Sequence, residues 1–442
     1  MPDGRHQAPR GRSRGANGVS GGGVANEQKL RDLGQAVERR NGNHSPVKRR
    51  GKRRRKGRTV GVVAGILIVV IVAGAGGLYL HFKGLFDAAK TLGPVKVFPV
   101  ISGKPFNILE IGSDSRTGLT GKYRGLAGNG VSGQRSDVIK IMHVDPTNLT
   151  ITVISIPRDT MVSLLANQNL FTDYNRINVN YQDGPGLLVR TIEANFGIPI
   201  NHVVQVSFGG IINAASAIGG VYLNFPDRAR DLYSGLHINH TGCQLVNNFQ
   251  ALAVVRSRHY EYLYHGYWYS DFSSDYGRIA RQDAFIKALI NRTKSEYNPF
   301  TINTLLEKLP AGIALDQSWS FNDTLGLAYR FRNFQSQNMK TFILPTASVG
   351  YVAPYGDVLV VDQPAAQKML VSVFGNELTT PTNPPPNAGM HPNPPPFEPI
   401  PTSTTTTVPK HHNQSVHNGP TTTTTIPTGP YLNYNPLPCS PH

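Results

Sequence analysis

Carboxylates and guanidiniums gather at the ends of three short apolar runs between Phe106 and Thr160. Phe106-Asn-Ile-Leu-Glu-Ile111 leads into Gly112-Ser-Asp-Ser-Arg116, which carries Asp114 and Arg116. Arg135-Ser-Asp137 opens a run from Val138 to Val144, and the run from Leu149 to Ile156 ends in Pro157-Arg158-Asp159. Such alternating charges suit a hard divalent metal held by a few carboxylates, with a phosphate-bearing ligand gripped by guanidinium forks. The competing reading is a set of surface salt bridges at loop ends.

The two later runs are β-branched and of strand length, and Asp145-Pro-Thr-Asn148 between them is turn chemistry. A hairpin with Val144 opposite Leu149 puts Asp137 roughly opposite Ile156. Arg135, Asp137, Arg158 and Asp159 then share one sheet edge, within about 10 Å at strand spacings. Asp114 and Arg116 join them if the first run neighbours either strand.

Further cations come later in the chain. Phe249 to Arg258 reads as a helix whose last turn carries Arg256 and Arg258, where cations complement the dipole. Ser274-Asp-Tyr-Gly-Arg-Ile-Ala-Arg-Gln282 heads another helix running to about Thr293. Its spacing puts Arg278, Arg281, Gln282 and Phe285 on one face and Ile279, Ile286 and Ile290 on another, against the core. Two arginines and an amide on the first turns, beside outward backbone N–H groups, make an anion site; solvated surface arginines are the alternative. The loop between these helices, His259 to Tyr276, holds Tyr260, Tyr262, Tyr264, Tyr267, Trp268, Tyr269 and Phe272. Those rings suit sugar stacking, contact with lipid, or a small satellite core.

The elements that must position these groups alternate between strand and helix. Leu187–Phe196 reads as a helix stopped by Gly197, with Pro199 just beyond. Strand His202–Phe208, apolar helix Ile211–Ile218 and strand Val221–Phe225 follow. Helices near Asn303–Leu309 and Phe321–Phe331, strand Lys340–Leu344 and helix Gln363–Phe374 close the domain. The pattern predicts an α/β domain with a layered sheet over residues 105–376.

The formal net charge of +17 belongs mostly to one tail: residues 1–58 hold 17 Lys and Arg against 4 Asp and Glu. That tail, rich in Gly, Arg, Asn and Ser, is expected to be disordered. Residues 59–80 follow, uncharged and long enough as a helix to cross the hydrocarbon core. The basic block before the span predicts a cytoplasmic N-terminus and an outer domain, in a single-pass type II arrangement. No aromatics interleave with the block, so anionic lipid headgroups rather than nucleic acid are its expected partner. Residues 81–104 read as a stalk, and the Pro- and Thr-rich residues 377–442 as an extended, unpacked tail. Two cysteines exclude a disulfide framework; Cys243 and Cys439 could pair in an oxidising space, but Cys243 is expected to pack unpaired as a small apolar residue.

The motifs Asn107-Ile-Leu with Gly112-Ser-Asp-Ser-Arg116, Arg135-Ser-Asp137, Ser155-Ile-Pro-Arg-Asp159, Arg256-Ser-Arg258 and Asp275-Tyr-Gly-Arg-Ile-Ala-Arg-Gln282 together resemble the LytR-CpsA-Psr (LCP) family of bacterial cell-envelope enzymes. Arg258-His-Tyr-Glu-Tyr262 is similar to its actinobacterial branch. One departure is Asn248, where members usually carry glycine; it touches a turn rather than the chemistry. The resemblance implies a central, mainly antiparallel or mixed sheet flanked by helices, preceded by one transmembrane helix. A long apolar groove would take a polyprenyl chain, and the Ile211–Ile218 helix would either line it or merely pack on the sheet.

By the same resemblance the chain is a phosphotransferase. It would join a glycopolymer (arabinogalactan, teichoic acid or capsule) from polyprenyl pyrophosphate to a peptidoglycan hydroxyl, releasing polyprenyl phosphate. Asp114 and Asp137 would hold Mg²⁺, with Mn²⁺ the alternative. Arg135, Arg158, Arg256, Arg258, Arg278 and Arg281, with Gln282, would grip the pyrophosphate. Asp137, Arg158, Asp159 and Arg256 form the expected catalytic group, and either Asp159 or Asp137 could take the attacking hydroxyl's proton. Two other classes compete: a non-catalytic lipid-linked glycan docking protein, and a membrane-tethered transcriptional regulator. The second needs a DNA-binding domain, and residues 1–58 show no helix-turn-helix pattern.

Overall fold

The computed structural model describes residues 53–113, 136–165, 174–295, 299–386 and 434–440. Contacts divide the chain into residues 1–74 and 75–442. Helix α1 (Arg53–Asp87) contains one stretch, Ile68–Asp87, long and apolar enough to cross a membrane.

The strands are β1 (Lys90–Thr91), β2 (Phe106–Ser113), β3 (Ser136–Asp145), β4 (Thr150–Ser155), β5 (Met161–Ser163) and β6 (Tyr174–Arg176). Helix α2 (Pro185–Phe196), β7 (His202–Ser207), α3 (Phe208–Ala217), β8 (Val221–Phe225), β9 (Arg228–Asp231), β10 (Leu236–Ile238), β11 (Gly242–Val246) and α4 (Asn248–Arg256) follow. Then come β12 (Glu261–Tyr264), β13 (Tyr267–Ser270), α5 (Asp275–Ser295), α6 (Pro299–Lys308), β14 (Ile313–Leu315) and α7 (Phe321–Arg330). The chain closes with β15 (Met339–Ile343), β16 (Thr346–Val352), β17 (Gly356–Val361), α8 (Gln363–Phe374) and β18 (Leu437–Pro438).

The expected α/β architecture is present. A seven-stranded mixed sheet runs in the order β1-β14-β7-β2-β3-β4-β15, antiparallel across β2-β3-β4 and parallel between β2 and β7. Alternation along the strands divides the two faces. Leu109, Ile111, Ile139, Ile141 and Ile154 pack with Leu188 and Ile192 of α2 and Leu370 and Phe374 of α8. Each of these side chains is at most 5% exposed, which stabilises the layer by roughly 1.5–3 kcal/mol apiece. The opposite face carries Glu110, Gly112, Val138 and Lys140, and these border a cavity.

Several expectations change. The β3–β4 hairpin pairs Asp145 with Thr150 and Val144 with Ile151, two residues out of the expected register. The Asp145 carboxylate accepts from the Thr147 and Asn148 N–H groups, and Leu149 sits at φ 52°, so the turn takes Leu149 from the strand. The stalk is partly built into the domain: β1 pairs with β14, and Val95 and Val97 pack on the core. The aromatic stretch is a hairpin, turning at His265 and Gly266 with φ 48° and 83°, the positive pair that a tight two-residue turn needs. Tyr260 and Tyr262 fold inward, while Tyr267 and Phe272 stay exposed.

Cys243 is not unpaired. It forms a disulfide with Cys439, and β18 adds to the edge of β8. The Pro- and Thr-rich tail is therefore packed at both described ends. At its start the Thr379 N–H donates to Gly197 O, and at its end Tyr434 stacks on Tyr262. No local pattern announces this, because the partners are long-range.

Candidate active site

The cavity has a volume of about 540 Å³ and lies between β2, β3 and β7 on one side and α3, α4 and α5 on the other. Val206, Phe208, Ile211, Phe285, Leu289 and Ile313 supply its apolar lining. The α3 helix therefore lines the cavity as well as packing on the sheet. Asp137, Arg256, Arg258, Arg278 and Gln282 also border it.

Asp137 owes its position to a β-bulge. Gly112 pairs with Val138 and Ser113 with Ser136, so Asp137 is the extra residue between them, and a bulge re-aims the side chain it carries. Gly112 permits the close pairing, since a Cβ there would stand 2.5 Å from Val138 Cβ. Arg158 Nη1 donates to Asp137 Oδ1 at 2.5 Å, and Arg278 Nη2 donates to the Asp137 carbonyl at 2.7 Å. Burial pushes the Asp137 carboxyl up, but Arg278, Arg158 and Arg258 together outweigh it and hold the group below the usual carboxylate range.

Around this pair the arginines are linked through carboxylates. Asp275 meets Arg278 at 2.9 Å and Arg258 at 3.2 Å. Asp159 accepts from Arg158 Nε at 3.3 Å and from Arg176 Nη1 at 3.1 Å. Asp159 and Arg158 do not themselves border the cavity; Arg158 reaches it through Asp137. Asp114, Arg116 and Arg135 lie outside the described residues.

The helix carrying Arg256 ends two residues earlier than the Arg258 end that the spacing predicts. Ser257 leaves α4 with φ −61° and ψ 121°, so Arg258 sits beyond the helix. The turn is held by Asp231 of β9, whose Oδ2 accepts from Ser257 Oγ at 2.6 Å and from the Arg258 and His259 N–H groups at 3.0 Å. Burial raises the Asp231 carboxyl, yet the hydrogen bonds from Ser257 and from the Ser234, His259 and Tyr233 N–H groups bring it below its ordinary value.

Arg281 is a correction. Its helix face was expected to present an anion site, but that face turns inward and Arg281 is fully buried. Nη1 donates to Asp271 Oδ2 at 2.8 Å and to Asn435 Oδ1 at 2.5 Å, Nη2 donates to Ser257 O at 2.9 Å, and the ring of Tyr260 lies 4.5 Å away. Gly277 makes room for this, because a Cβ there would stand 2.1 Å from Asp271 Oδ2. Arg281 therefore braces the site instead of lining the cavity, whereas Arg278 and Gln282 from the same face do line it.

Sequence reasoning missed other members. Asp275 was visible inside the motif that opens α5, but Asp231, Asp271 and Arg176 gave no local signal. Neither did the buried ion pair of Lys140 on β3 with Asp283 on α5. Glu110, opposite Lys140 on β2, borders the cavity. Burial raises its carboxyl, Lys140 opposes the shift, and Asp283 adds to it.

Residues 86–373 match the model of the LytR_cpsA_psr family. A probable cell wall biosynthesis protein LcpB of Corynebacterium glutamicum is 31% identical over 250 residues, 54% of each chain. The polyisoprenyl-teichoic acid–peptidoglycan teichoic acid transferase TagV of Bacillus subtilis is 29% identical over 57% of this chain and 59% of its own. The matches thus span between half and two thirds of these relatives. Among solved structures, a LytR-Csp2A-Psr enzyme from Actinomyces oris shares the fold with a TM-score of 0.51 and 21% identity, over 67% of this chain and 98% of its own.

Proposed function

The chain belongs to the LytR_cpsA_psr family, and from that premise we propose that it is a phosphotransferase of the cell envelope. It joins a glycopolymer carried on polyprenyl pyrophosphate to a peptidoglycan hydroxyl and releases polyprenyl phosphate. The observation that carries this reading is one cavity with an apolar lining and a cluster of arginines around Asp137. An apolar chain suits the first and a pyrophosphate the second. A glycopolymer of the teichoic acid kind fits the B. subtilis relative, a teichoic acid transferase; arabinogalactan or capsule would use the same residues. The basic block before the span orients the domain outward.

A pyrophosphate diester carries about two negative charges, and phosphoryl transfer is catalysed mainly by positioning and charge neutralisation. Arg256, Arg258 and Arg278 supply fixed positive charge at the cavity, with Gln282 beside them as a neutral hydrogen-bonding group. Asp275 keeps Arg258 and Arg278 together. Arg158 holds Asp137 in place through the 2.5 Å contact. Both candidates for the hydroxyl's proton accept from Arg158, but Asp137 borders the cavity and Asp159 does not. This supports Asp137 as the proton acceptor and Asp159 as the anchor of Arg158 and Arg176.

Asp137 is the described member of the carboxylate pair expected to hold a hard divalent cation, and its chemistry suits that role. Asp137 is held ionised, and 31% of its side chain is exposed. Mg²⁺ usually takes one or two carboxylates and completes its shell with phosphate oxygens and water. Asp137 with Asp114 would hold Mg²⁺ or Mn²⁺, which neutralises charge on the pyrophosphate.

The test uses the full chain in detergent, because residues 434–440 are part of the fold. It is supplied with a synthetic polyprenyl-pyrophosphate glycan, a peptidoglycan acceptor and Mg²⁺, and covalent transfer is read for the wild type, Asp137→Ala and Arg158→Ala. Transfer by the wild type that both variants lose supports the ligase. Tight lipid binding with no transfer under varied acceptors and metals replaces it with a carrier-docking protein.

A further inference from the structure

The C-terminal segment reaches the arginine turn through a chain of hydrogen bonds. β18 pairs with β8, and Cys439 is tied to Cys243, so residues 434–440 are fixed against the domain. Asn435, only 3% exposed, presents Oδ1 to Arg281 Nη1. The same guanidinium donates to Asp271 Oδ2 and, from Nη2, to the carbonyl of Ser257. Ser257 is the residue between Arg256 and Arg258, and both arginines border the cavity. Asp231 grips the Oγ of Ser257 and the N–H groups of the next two residues, but it does not touch the Ser257 carbonyl.

We infer that Asn435 is a positioning residue for the Arg256–Arg258 pair, acting through Arg281. The guanidinium is planar and its donors are fixed in a fork. Asn435 and Asp271 accept from Nη1, which sets the plane and so aims Nη2 at the Ser257 carbonyl. Without Asn435, one hydrogen bond on Nη1 is lost in a site too buried for bulk water to replace it, and the fork is free to tilt. The Ser257 carbonyl then loses its fixed donor, and the two flanking guanidiniums lose their common spacing. Tyr434 secures the segment on the other side: its OH donates to Asp271 Oδ1 at 2.7 Å, and its ring stacks on Tyr262 at 4.3 Å. A segment far from the motifs in sequence thereby becomes a working part of the site.

The inference rests on the reading that Arg256 and Arg258 hold a pyrophosphate, and the test separates the two. Affinities of the full chain in detergent are measured for farnesyl pyrophosphate and for farnesol, which shares the apolar chain but has no phosphate. The wild type is expected to prefer the pyrophosphate. Asn435→Ala is expected to lower pyrophosphate affinity by about tenfold, the scale of one charged hydrogen bond, while farnesol affinity stays unchanged. A general loss of structure would lower both. Should Asn435→Ala not fold, Asn435→Ser, whose short side chain leaves room for a water, carries the same measurement. A folded variant that keeps the wild-type ratio of the two affinities overturns the positioning role. A wild type that does not discriminate the two ligands overturns the pyrophosphate reading instead.

Discussion

Arg158 and Asp137, 21 residues apart in sequence, meet at 2.5 Å because the β3–β4 register brings them opposite one another. The ladder runs from Asp145–Thr150 to Lys140–Ser155, and three residues past that last pair lie Asp137, still on β3, and Arg158, just beyond the end of β4. The register expected from the turn residues alone would have set Ile156 there. At the bulge the Asp137 carboxylate accepts from Arg158 while its backbone carbonyl accepts from Arg278.

The arginines at the cavity are expected to act as preorganised charge. Arg258→Ala should lower kcat/KM for transfer by about 10²–10³-fold, the scale of losing one fixed donor to a developing anion. Arg258→Lys should recover only part of this, because lysine lacks the fork that bridges to Asp275. Steady-state transfer kinetics check both.

Asp231 gives a pH signature. Its folded-state carboxyl lies below its ordinary value, so the stability it contributes is present above the unfolded value of roughly pH 4 and is lost as pH falls through the folded value. The gap between wild type and Asp231→Asn in urea midpoint should therefore be largest near neutral pH and shrink progressively below about pH 4. A gap that grows on acidification would contradict the assignment.

Lys140 and Asp283 are expected to matter as a pair. Their side chains are 1% and 10% exposed, and removing one partner strands a buried charge at a cost of about 3–5 kcal/mol. Lys140→Met should show that loss in denaturant unfolding. The double variant Lys140→Met with Asp283→Leu should be more stable than Lys140→Met alone.

The Cys243–Cys439 bridge closes a loop across a sequence separation of 196 residues. Replacing both cysteines by alanine should lower unfolding free energy by about 2–4 kcal/mol through the larger entropy of the unfolded chain. Reductant should destabilise the wild type by a similar amount and leave the double variant unaffected, as read by denaturant titration.

Local chemistry made much of the fold legible. Helix Gln363–Phe374 and strand Val221–Phe225 fall on the expected residues, because apolar periodicity and flanking Asp, Pro and Gly signals are short-range. Gly197 stops α2 as expected, and does so in the left-handed conformation that glycine adopts readily. The 3.6-residue period likewise put Arg278, Arg281, Gln282 and Phe285 on one face of α5. Periodicity cannot say what covers a face, however, and here Asp271, Ser257 and Asn435 take Arg281 out of the cavity's reach.

By itself the sequence determined the alternation of strands and helices, the apolar span, the placement of charged motifs at strand ends, and through those motifs the family. These depend on residue type and on spacings of a few residues, which act before the chain has folded. Tertiary structure alone decided the two-residue register shift, the bulge that aims Asp137, the division of labour between Arg278 and Arg281, and the return of the tail to pair Cys439 with Cys243. Each of these depends on a partner more than twenty residues away or on the turn geometry between strands. Such contacts form only once the layers have closed and the buried charges have had to find their counterions.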